Sequence, residues 1–284
     1  MSNLHLLPCL DSEELALSRR VELQLPRAFA ASLGSSALEA ARVGVYQTQD
    51  GRRIDWKQHV EAALAVKRSI RPEDDLPGNA SVTHAETRVR VANETTLGAS
   101  RRLVKDGHRP LALNYANGEE PGGGFLRGAL AQEETLCRSS ALYLTLEGDP
   151  MYAAHGKRAK SDATDWAIYS PKVPVFRTDA GEDLAHPWLL DFLTCAAPYA
   201  PHVGQPESGN LLQRRIHRVL EIARAYGHST LVLGAWGCGA FGNDPRRTAL
   251  DFQGALEGEY QGAFSDIVFA ITDWSTDRRT LGAF

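Results

Sequence analysis

The chain has 284 residues, of which 43% are hydrophobic and 23% are charged, and this ordinary composition excludes disordered, collagen-like and coiled-coil proteins. Its length corresponds to one large domain or two small ones. The formal net charge of −4 argues against specific duplex-DNA binding, which favours a basic face. The four cysteines form no CxxC pair, which excludes a zinc ribbon and favours a reducing, cytoplasmic location.

The N-terminal residues carry no targeting signal that we recognise. The sequence MSNLHLLPCLDSEEL has no basic segment ahead of its apolar residues, so we do not expect a signal peptide. No apolar run approaches the ~18 residues that a membrane-spanning helix requires. We therefore expect no membrane partner.

Residues 1–82 are predicted to form a helical extension that packs on the rest of the protein. Asp11 and Glu14 have the spacing of a capping box at the start of a first helix. Residues 59–70 carry apolar side chains at helical spacing. The polar stretch RPEDDLPGNAS, which contains two prolines, predicts the boundary with a second domain, residues 83–284.

Short apolar strands alternate with helices in this second domain. The alternating segment TRVRV predicts its first strand, and residues 211–226 form the clearest amphipathic helix. Such alternation predicts a three-layer α/β/α fold with a mixed or parallel central sheet. The predicted strands are 87–91, 111–114, 166–170, 192–196, 230–233 and 267–271. The other predicted helices are 95–105, 133–146 and one that begins at Pro245.

The segment NYANGEEPGGGFLRGALAQEETLCR carries the strongest chemical signal. It follows a predicted strand and holds three glycines and, after seven residues, a Gln-Glu-Glu triplet: Gly122, Gly123, Gly124, Gln132, Glu133 and Glu134. Glycines let backbone amides approach a ligand closely, and a helix start favours carboxylates. A turn followed by ordinary first-turn charges is the alternative, but the combination after an apolar strand favours a site.

A second glycine-rich loop, GAWGCGAFGNDP, also connects a predicted strand to a helix. Loops of this kind hold phosphates through backbone amides and the helix N-terminus, and Trp236 and Phe241 offer apolar faces for a base or sugar. The loop is neither a dinucleotide-binding GxGxxG with a following acid nor a P-loop. Since ligands of open α/β sheets bind at the carboxyl ends of strands, the two loops together indicate a bound nucleotide diphosphate.

These residues resemble the poly(ADP-ribose) glycohydrolases. The GGG-x7-QEE arrangement is similar to the signature of that family, and the run from Gly44 to Ile271, about four-fifths of the chain, resembles its short bacterial type. The resemblance implies a macrodomain fold with ADP-ribose in a cleft. It implies hydrolysis of the ribose–ribose O-glycosidic bonds of poly(ADP-ribose), with ADP-ribose as product and no cofactor.

The resemblance also implies site residues. Glu134 would be the general acid and base, and Glu133 would bind ribose hydroxyls of the scissile unit. Phe241 would pack on the distal ribose, and Glu94 would bind the adenine amino group. The remaining implied substrate-binding residues are Asn114 and Asn117 at the distal ribose, Gly237 and Gly239 at the diphosphate, and Gly122, Gly123, Gly124, Gln132, Cys238 and Ala240.

The chemistry of glycoside hydrolysis supports unequal roles for the two glutamates. An O-glycosidic leaving group must be protonated as the sugar becomes oxocarbenium-like. Two catalytic carboxylates usually lie about 5–10 Å apart across the bond, and adjacent residues at a helix start cannot easily straddle a sugar. We therefore expect one catalytic acid, Glu134, and one positioning acid, Glu133. No His/Cys/Asp cluster has metal-ligand spacing, so we expect no metal.

Two other functions remain open. The first is a hydrolase that removes ADP-ribose from another acceptor, such as an ADP-ribosylated protein or nucleic acid. The second is a non-catalytic macrodomain that only binds ADP-ribose. The pair of glutamates argues against a non-catalytic macrodomain, because binding of ADP-ribose needs no general acid.

Arginines near these segments have two interpretations. The first is a solvated helix face, which we predict for Arg214, Arg215 and Arg218. The alternative is that these side chains help to attract a polyanionic substrate. Arg127, between the glycines and the glutamates, is the better candidate for that attraction.

Overall fold

The computed structural model describes residues 3–78 and 83–284. Residues 79–82, where the predicted domain boundary ends, lie outside the described ranges. The strands are β1 (Leu4–Leu6), β2 (Val45–Gln47), β3 (Arg53–Asp55), β4 (Arg68–Ile70), β5 (Thr87–Ala92), β6 (Pro110–Ala116), β7 (Ala167–Arg177), β8 (Asp183–Ala196), β9 (Thr230–Leu233) and β10 (Asp266–Ala270). The helices are α1 (Glu13–Leu23), α2 (Arg27–Val43), α3 (Lys57–Val66), α4 (Thr96–Lys105), α5 (Gln132–Ser139), α6 (Leu142–Leu146), α7 (Pro150–His155), α8 (Ala200–Val203), α9 (Glu207–Ala225) and α10 (Pro245–Glu257).

The main sheet has eight strands in the order β1-β5-β10-β9-β6-β8-β7-β4. The first six strands in this order, β1, β5, β10, β9, β6 and β8, run parallel to one another. Strand β7 is antiparallel to β8, and β4 is antiparallel to β7. Helices α2 to α7 pack their apolar residues against one face, and α9 and α10 cover the other. The predicted three-layer α/β/α fold with a mixed sheet is therefore confirmed.

The N-terminal residues contribute strands as well as the predicted helices. Strands β1 and β4 form the two edges of the main sheet, and β2 and β3 form a hairpin. The prediction that a helix continues to residue 70 is wrong, because α3 ends at Val66 and Ile70 pairs with Ala167 of β7. The division into two domains stays a proposal.

The start of the first helix is also corrected. The N-cap is Ser12, whose hydroxyl accepts from the Leu15 amide at 3.1 Å. Asp11 instead accepts from Asn93 at 2.8 Å and pairs with Arg278 at 2.8 Å. This acid therefore ties the N-terminal segment to the residue that follows β5 and to the C-terminal segment.

Two predicted elements differ in extent. The strands predicted at 166–170 and 192–196 belong to the long hairpin of β7 and β8. The predicted helix 133–146 is interrupted at Ser140, which is extended and bridges to Val175 of β7. The short helix α5 therefore ends against the sheet, and its first turn lies at the carboxyl edge of β6.

Candidate functional site

A cavity of about 690 Å³ lies at the carboxyl ends of the parallel strands β5, β6, β9 and β10. Its wall combines the residues that follow these strands with the first turn of α5 and the end of α1. The predicted site residues that line it are Glu94, Asn117, Gln132, Glu133, Glu134, Gly237, Gly239, Ala240 and Phe241. Five predicted residues are not part of this lining: Asn114, Gly122, Gly123, Gly124 and Cys238.

Glu133 is a buried carboxyl group held in place from two sides. Its Oε2 accepts from the Asn117 amide at 2.7 Å, and its Oε1 accepts from the side-chain amide of Asn114 at 3.3 Å. The Asn114 side chain is fully buried and also contacts Thr194 on β8 at 3.2 Å. Burial, with a smaller contribution from the charge of Glu134, raises the pKa of Glu133 to about 8.

This raised pKa makes the folded protein less stable as the pH rises. Between the ordinary Glu pKa of 4.5 and about 8, the folded Glu133 keeps a proton that the unfolded chain releases. The free energy of unfolding therefore falls with pH across this window and is independent of this group outside it. We expect Glu133→Gln to reduce the decline, measured by urea unfolding at pH 5 and pH 8. Glu39→Gln on the exposed face of α2 is the control; an equal decline in both variants would contradict the assignment.

Glu134 has one fixed oxygen and one free oxygen. Its Oε1 accepts from the Gly124 amide at 2.9 Å, whereas its Oε2 is buried and has no hydrogen-bond partner among the described residues. The residue lines the cavity and is 8% exposed. Since an unpartnered buried carboxylate oxygen is costly, this atom is well suited to bond with a bound molecule.

The three glycines let their loop close on the two carboxylates. Gly123 has φ +56°, and a Cβ there would lie 2.5 Å from Oε1 of Glu134 and 3.2 Å from Oε2 of Glu133. Gly122 also has a positive φ of +70°. The Gly124 amide, which the sequence predicts to face a ligand, binds Glu134 instead. The glycines therefore position the acids, and any direct contact with substrate stays a prediction.

The polar side chains beside the glutamates fix local geometry. Gln132 accepts from the Tyr115 amide at 3.0 Å and donates to the Leu113 carbonyl at 2.8 Å, so it joins the start of α5 to β6. Asn117 Oδ1 accepts from the amides of Glu119 and Glu120 at 2.8 and 2.9 Å. Both residues also line the cavity, and their contact with a ligand stays a prediction.

The second glycine-rich loop forms the opposite wall of the cavity. A Cβ at Gly237 would lie 2.8 Å from Ala197 and 2.8 Å from Asn243, whereas a Cβ at Gly239 would meet nothing within 4 Å. Asn243 holds the loop through the Pro198 carbonyl at 2.9 Å. The loop leads into α10, which begins at Pro245 as predicted and is capped by Asp244. The open backbone at Gly239 leaves room for a ligand to approach.

Cys238 faces away from the cavity. Its Sγ lies 3.5 Å from the Trp236 carbonyl and 3.5 Å from the Thr248 hydroxyl. Burial raises the pKa of its thiol to about 11, so the group is protonated at neutral pH. This environment suits packing rather than nucleophilic chemistry.

The far end of the cavity holds acids and an aromatic ring. Glu94 pairs with Arg102 at 2.8 Å. Asp179, which the sequence analysis missed, accepts from the Thr95 hydroxyl at 2.9 Å, and burial raises its pKa to about 7. Trp274, also missed, lines the cavity and is 39% exposed. The sequence TDAGED indicates a tight turn at Asp179, and this was the available signal. Only the β7–β8 hairpin brings that turn to the cavity.

Two arginine predictions have different outcomes. Arg127 pairs with Glu120, so its charge is compensated within its own loop. Arg215 is fully buried and donates to the carbonyls of Ala196, at 3.1 Å, and Asp162. The prediction of a solvated face is therefore wrong for Arg215, because α9 turns this side chain toward the end of β8.

Within the described ranges, 3–78 and 83–284, no group of three or more His, Cys, Asp or Glu side chains is placed to hold a metal ion. No helix there has both the length and the apolar character to cross a membrane.

Comparison with known proteins gives a consistent result. Residues 35–178 match the family model described as the catalytic domain of microbial-type PARG. The solved poly(ADP-ribose) glycohydrolase of Thermomonospora curvata, bound to the inhibitor ADP-HPD, is 42% identical, with a TM-score of 0.83 over 90% of this chain and 98% of that chain. The enzyme of Deinococcus radiodurans, in complex with ADP-ribose, is 40% identical, with a TM-score of 0.71 over 79% of this chain and 94% of that chain. No curated protein matches significantly.

Proposed function

This chain belongs to the microbial-type poly(ADP-ribose) glycohydrolase family, and from that premise we propose that it releases ADP-ribose from poly(ADP-ribose) with Glu134 as general acid and base. The observation that carries the residue assignment is the free Oε2 of Glu134 in the cavity wall. Glu133 is tied to Asn114 and Asn117, which suits a positioning role.

The proposed reaction breaks the bond between the anomeric carbon of the distal ribose and the 2′-oxygen of the next unit. Glu134 donates its proton to that oxygen as the ribose becomes oxocarbenium-like. The resulting carboxylate then takes a proton from the attacking water, whose oxygen forms the new bond to the anomeric carbon. Glu133 holds ribose hydroxyls, so that the anomeric carbon stays next to Glu134.

The remainder of the cavity fits the other parts of ADP-ribose. The diphosphate would lie against the loop that contains Gly237 and Gly239, whose backbone is open to the cavity. Phe241 would pack on the distal ribose. The adenine would lie near Glu94 and Trp274, where an apolar ring is partly exposed.

Substitution of Gly239 tests the proposed diphosphate loop. A Cβ at this position meets no protein atom within 4 Å, so Gly239→Ala should fold with unchanged stability. We expect ADP-ribose to bind roughly tenfold more weakly, because the methyl group would occupy space next to the phosphates. Isothermal titration measures the affinity. Gly254→Ala on α10, where a Cβ is equally free, is the control, and equal affinities in both variants would count against the placement.

The function is tested by ADP-ribose release from poly(ADP-ribose) of defined length. We expect release both without added metal and in the presence of EDTA. Parallel assays with ADP-ribosylated proteins and nucleic acids test the alternative acceptors. Tight ADP-ribose binding without release from any of these substrates would identify a binding module instead.

We further propose that the protein is located in the cytoplasm. We also propose that it consists of two domains with a boundary near residue 82. The four cysteines are free thiols in the structure, which supports a reducing compartment.

A further inference from the structure

A second cavity of about 220 Å³ adjoins the first. The two cavities share three lining residues, Asn117, Ala197 and Phe241. The Asn117 amide is bonded to Glu133, so the shared wall stands beside the candidate carboxylates. The placement of ADP-ribose given above leaves the second cavity unused. Its other lining residues are Gly118, Glu119, His155, Ser161, Ala163 and Tyr199.

The walls of the second cavity are fixed by buried polar contacts. The Thr164 amide donates to Nε2 of His155 at 3.2 Å, so the ring proton is on Nδ1, which donates to the Gly118 carbonyl at 3.0 Å. Burial lowers the pKa of His155 and keeps the ring neutral. The buried Arg215 joins Asp162 to the end of β8. These contacts hold His155 and the chain around Asp162 in place.

The rim of this cavity is positively charged. His155 and Ser161 both line the cavity, and we call the segment GKRAK that connects them its rim. Arg158 pairs with Asp162 at 2.6 Å, but Lys157 and Lys160 are exposed and form no ion pair with any described residue. Although Glu119 lies on the cavity wall, this segment carries two exposed lysines that form no ion pair with a described residue.

An aromatic ring lies between the basic rim and the shared wall. Tyr199 is half-buried and meets Phe241 edge to face, with ring centroids 5.7 Å apart. His202 also meets Tyr199 edge to face, with ring centroids 4.8 Å apart. Aromatic rings of this kind stack with nucleobases in a sequence-tolerant manner, and nearby lysines bind phosphate groups.

We propose that the second cavity and its rim bind the leaving group, namely the ADP portion of the polymer unit on the far side of the scissile bond. The base would stack on Tyr199, and the diphosphate would lie against Lys157 and Lys160. The inference rests on the proposed function, because the terminal unit fills the first cavity and the bond to be broken lies at the shared wall. Binding across both cavities would favour polymer over ADP-ribose.

The test compares two ligands on a chain that binds without cleaving. In a Glu134→Gln background, we would measure the affinities of ADP-ribose and of the ADP-ribose dimer. Loss of both rim charges, Lys157→Ala with Lys160→Ala, should weaken dimer binding about tenfold at low salt, because phosphate contacts of lysine are largely electrostatic. ADP-ribose binding should be unchanged. The matched control removes two exposed lysines elsewhere, Lys57→Ala with Lys105→Ala.

The outcomes separate this inference from the function on which it rests. The subsite is supported if loss of the two lysines weakens binding of the dimer alone and this effect becomes smaller as salt is added. Tyr199→Leu should also weaken binding of the dimer alone, but by an amount that does not depend on salt. An equal loss for both ligands overturns it and assigns the rim to the terminal unit. Unchanged dimer affinity also overturns it, while ADP-ribose binding and polymer cleavage by the unmodified protein still support the proposed function. Failure of the unmodified protein to bind or cleave either ligand overturns both proposals.

Discussion

Glu134→Gln should lower the rate of ADP-ribose release by about 10²- to 10⁴-fold, the usual contribution of general acid–base catalysis. The amide keeps the shape of the side chain, and its oxygen still accepts from the Gly124 amide that holds Oε1 at 2.9 Å. It has no proton to give to the leaving oxygen at neutral pH. We therefore expect kcat to fall while the affinity for ADP-ribose stays within about threefold.

This prediction is measured by single-turnover release from poly(ADP-ribose) and by calorimetric binding of ADP-ribose. Glu39→Gln makes the same chemical change on the exposed face of α2 and should leave both quantities unchanged. Release by Glu134→Gln at the parent rate would show that another group is the acid. Loss of ADP-ribose binding would instead indicate a disturbed site, which makes the binding measurement a necessary part of the test.

The position of the two candidate glutamates was predictable because its signal is local. Glu133 and Glu134 lie in the first turn of α5, after the loop that contains Gly123, so a short stretch of sequence places both carboxyl groups beside the glycines. The role of Asn114 was less accessible. Its side chain is directed to Glu133 by a position opposite Thr194 in the sheet, and that register depends on strands far apart in sequence. The sequence therefore indicated the residue but not its burial.

Other features depend on contacts that periodicity does not report. Strands β1 and β4 have three residues each, which is too short for an alternating pattern to be distinguished from a helix or a loop. Asp179 reaches the cavity only because β7 and β8 form a long hairpin. Arg215 was expected in solvent because arginine is rarely buried, and its carbonyl partners belong to segments that no local rule connects to α9.

Gly123→Ala should abolish most of the activity, although it replaces none of the proposed catalytic groups. The added Cβ would lie 2.5 Å from Oε1 of Glu134 and 3.2 Å from Oε2 of Glu133, so the carboxylates or the loop must move. A displacement of about 1 Å costs on the order of 100-fold in rate. The positive φ of +56° adds about 1–2 kcal/mol of backbone strain for an alanine. We expect a large loss of kcat together with a modest loss of stability.

Gly148→Ala separates these two effects. Gly148 has a comparable φ of +72°, but a Cβ there meets nothing within 4 Å, and the residue lies outside the cavity lining. Both variants should lose free energy of unfolding in urea, because both place alanine in a left-handed conformation, and Gly123→Ala should lose somewhat more, because its Cβ also displaces a carboxylate or the loop. Only Gly123→Ala should lose activity. Equal rates of ADP-ribose release in the two variants would mean that the close approach of Gly123 to the carboxylates is structural packing, and that the position of Glu134 is set by the Gly124 amide alone.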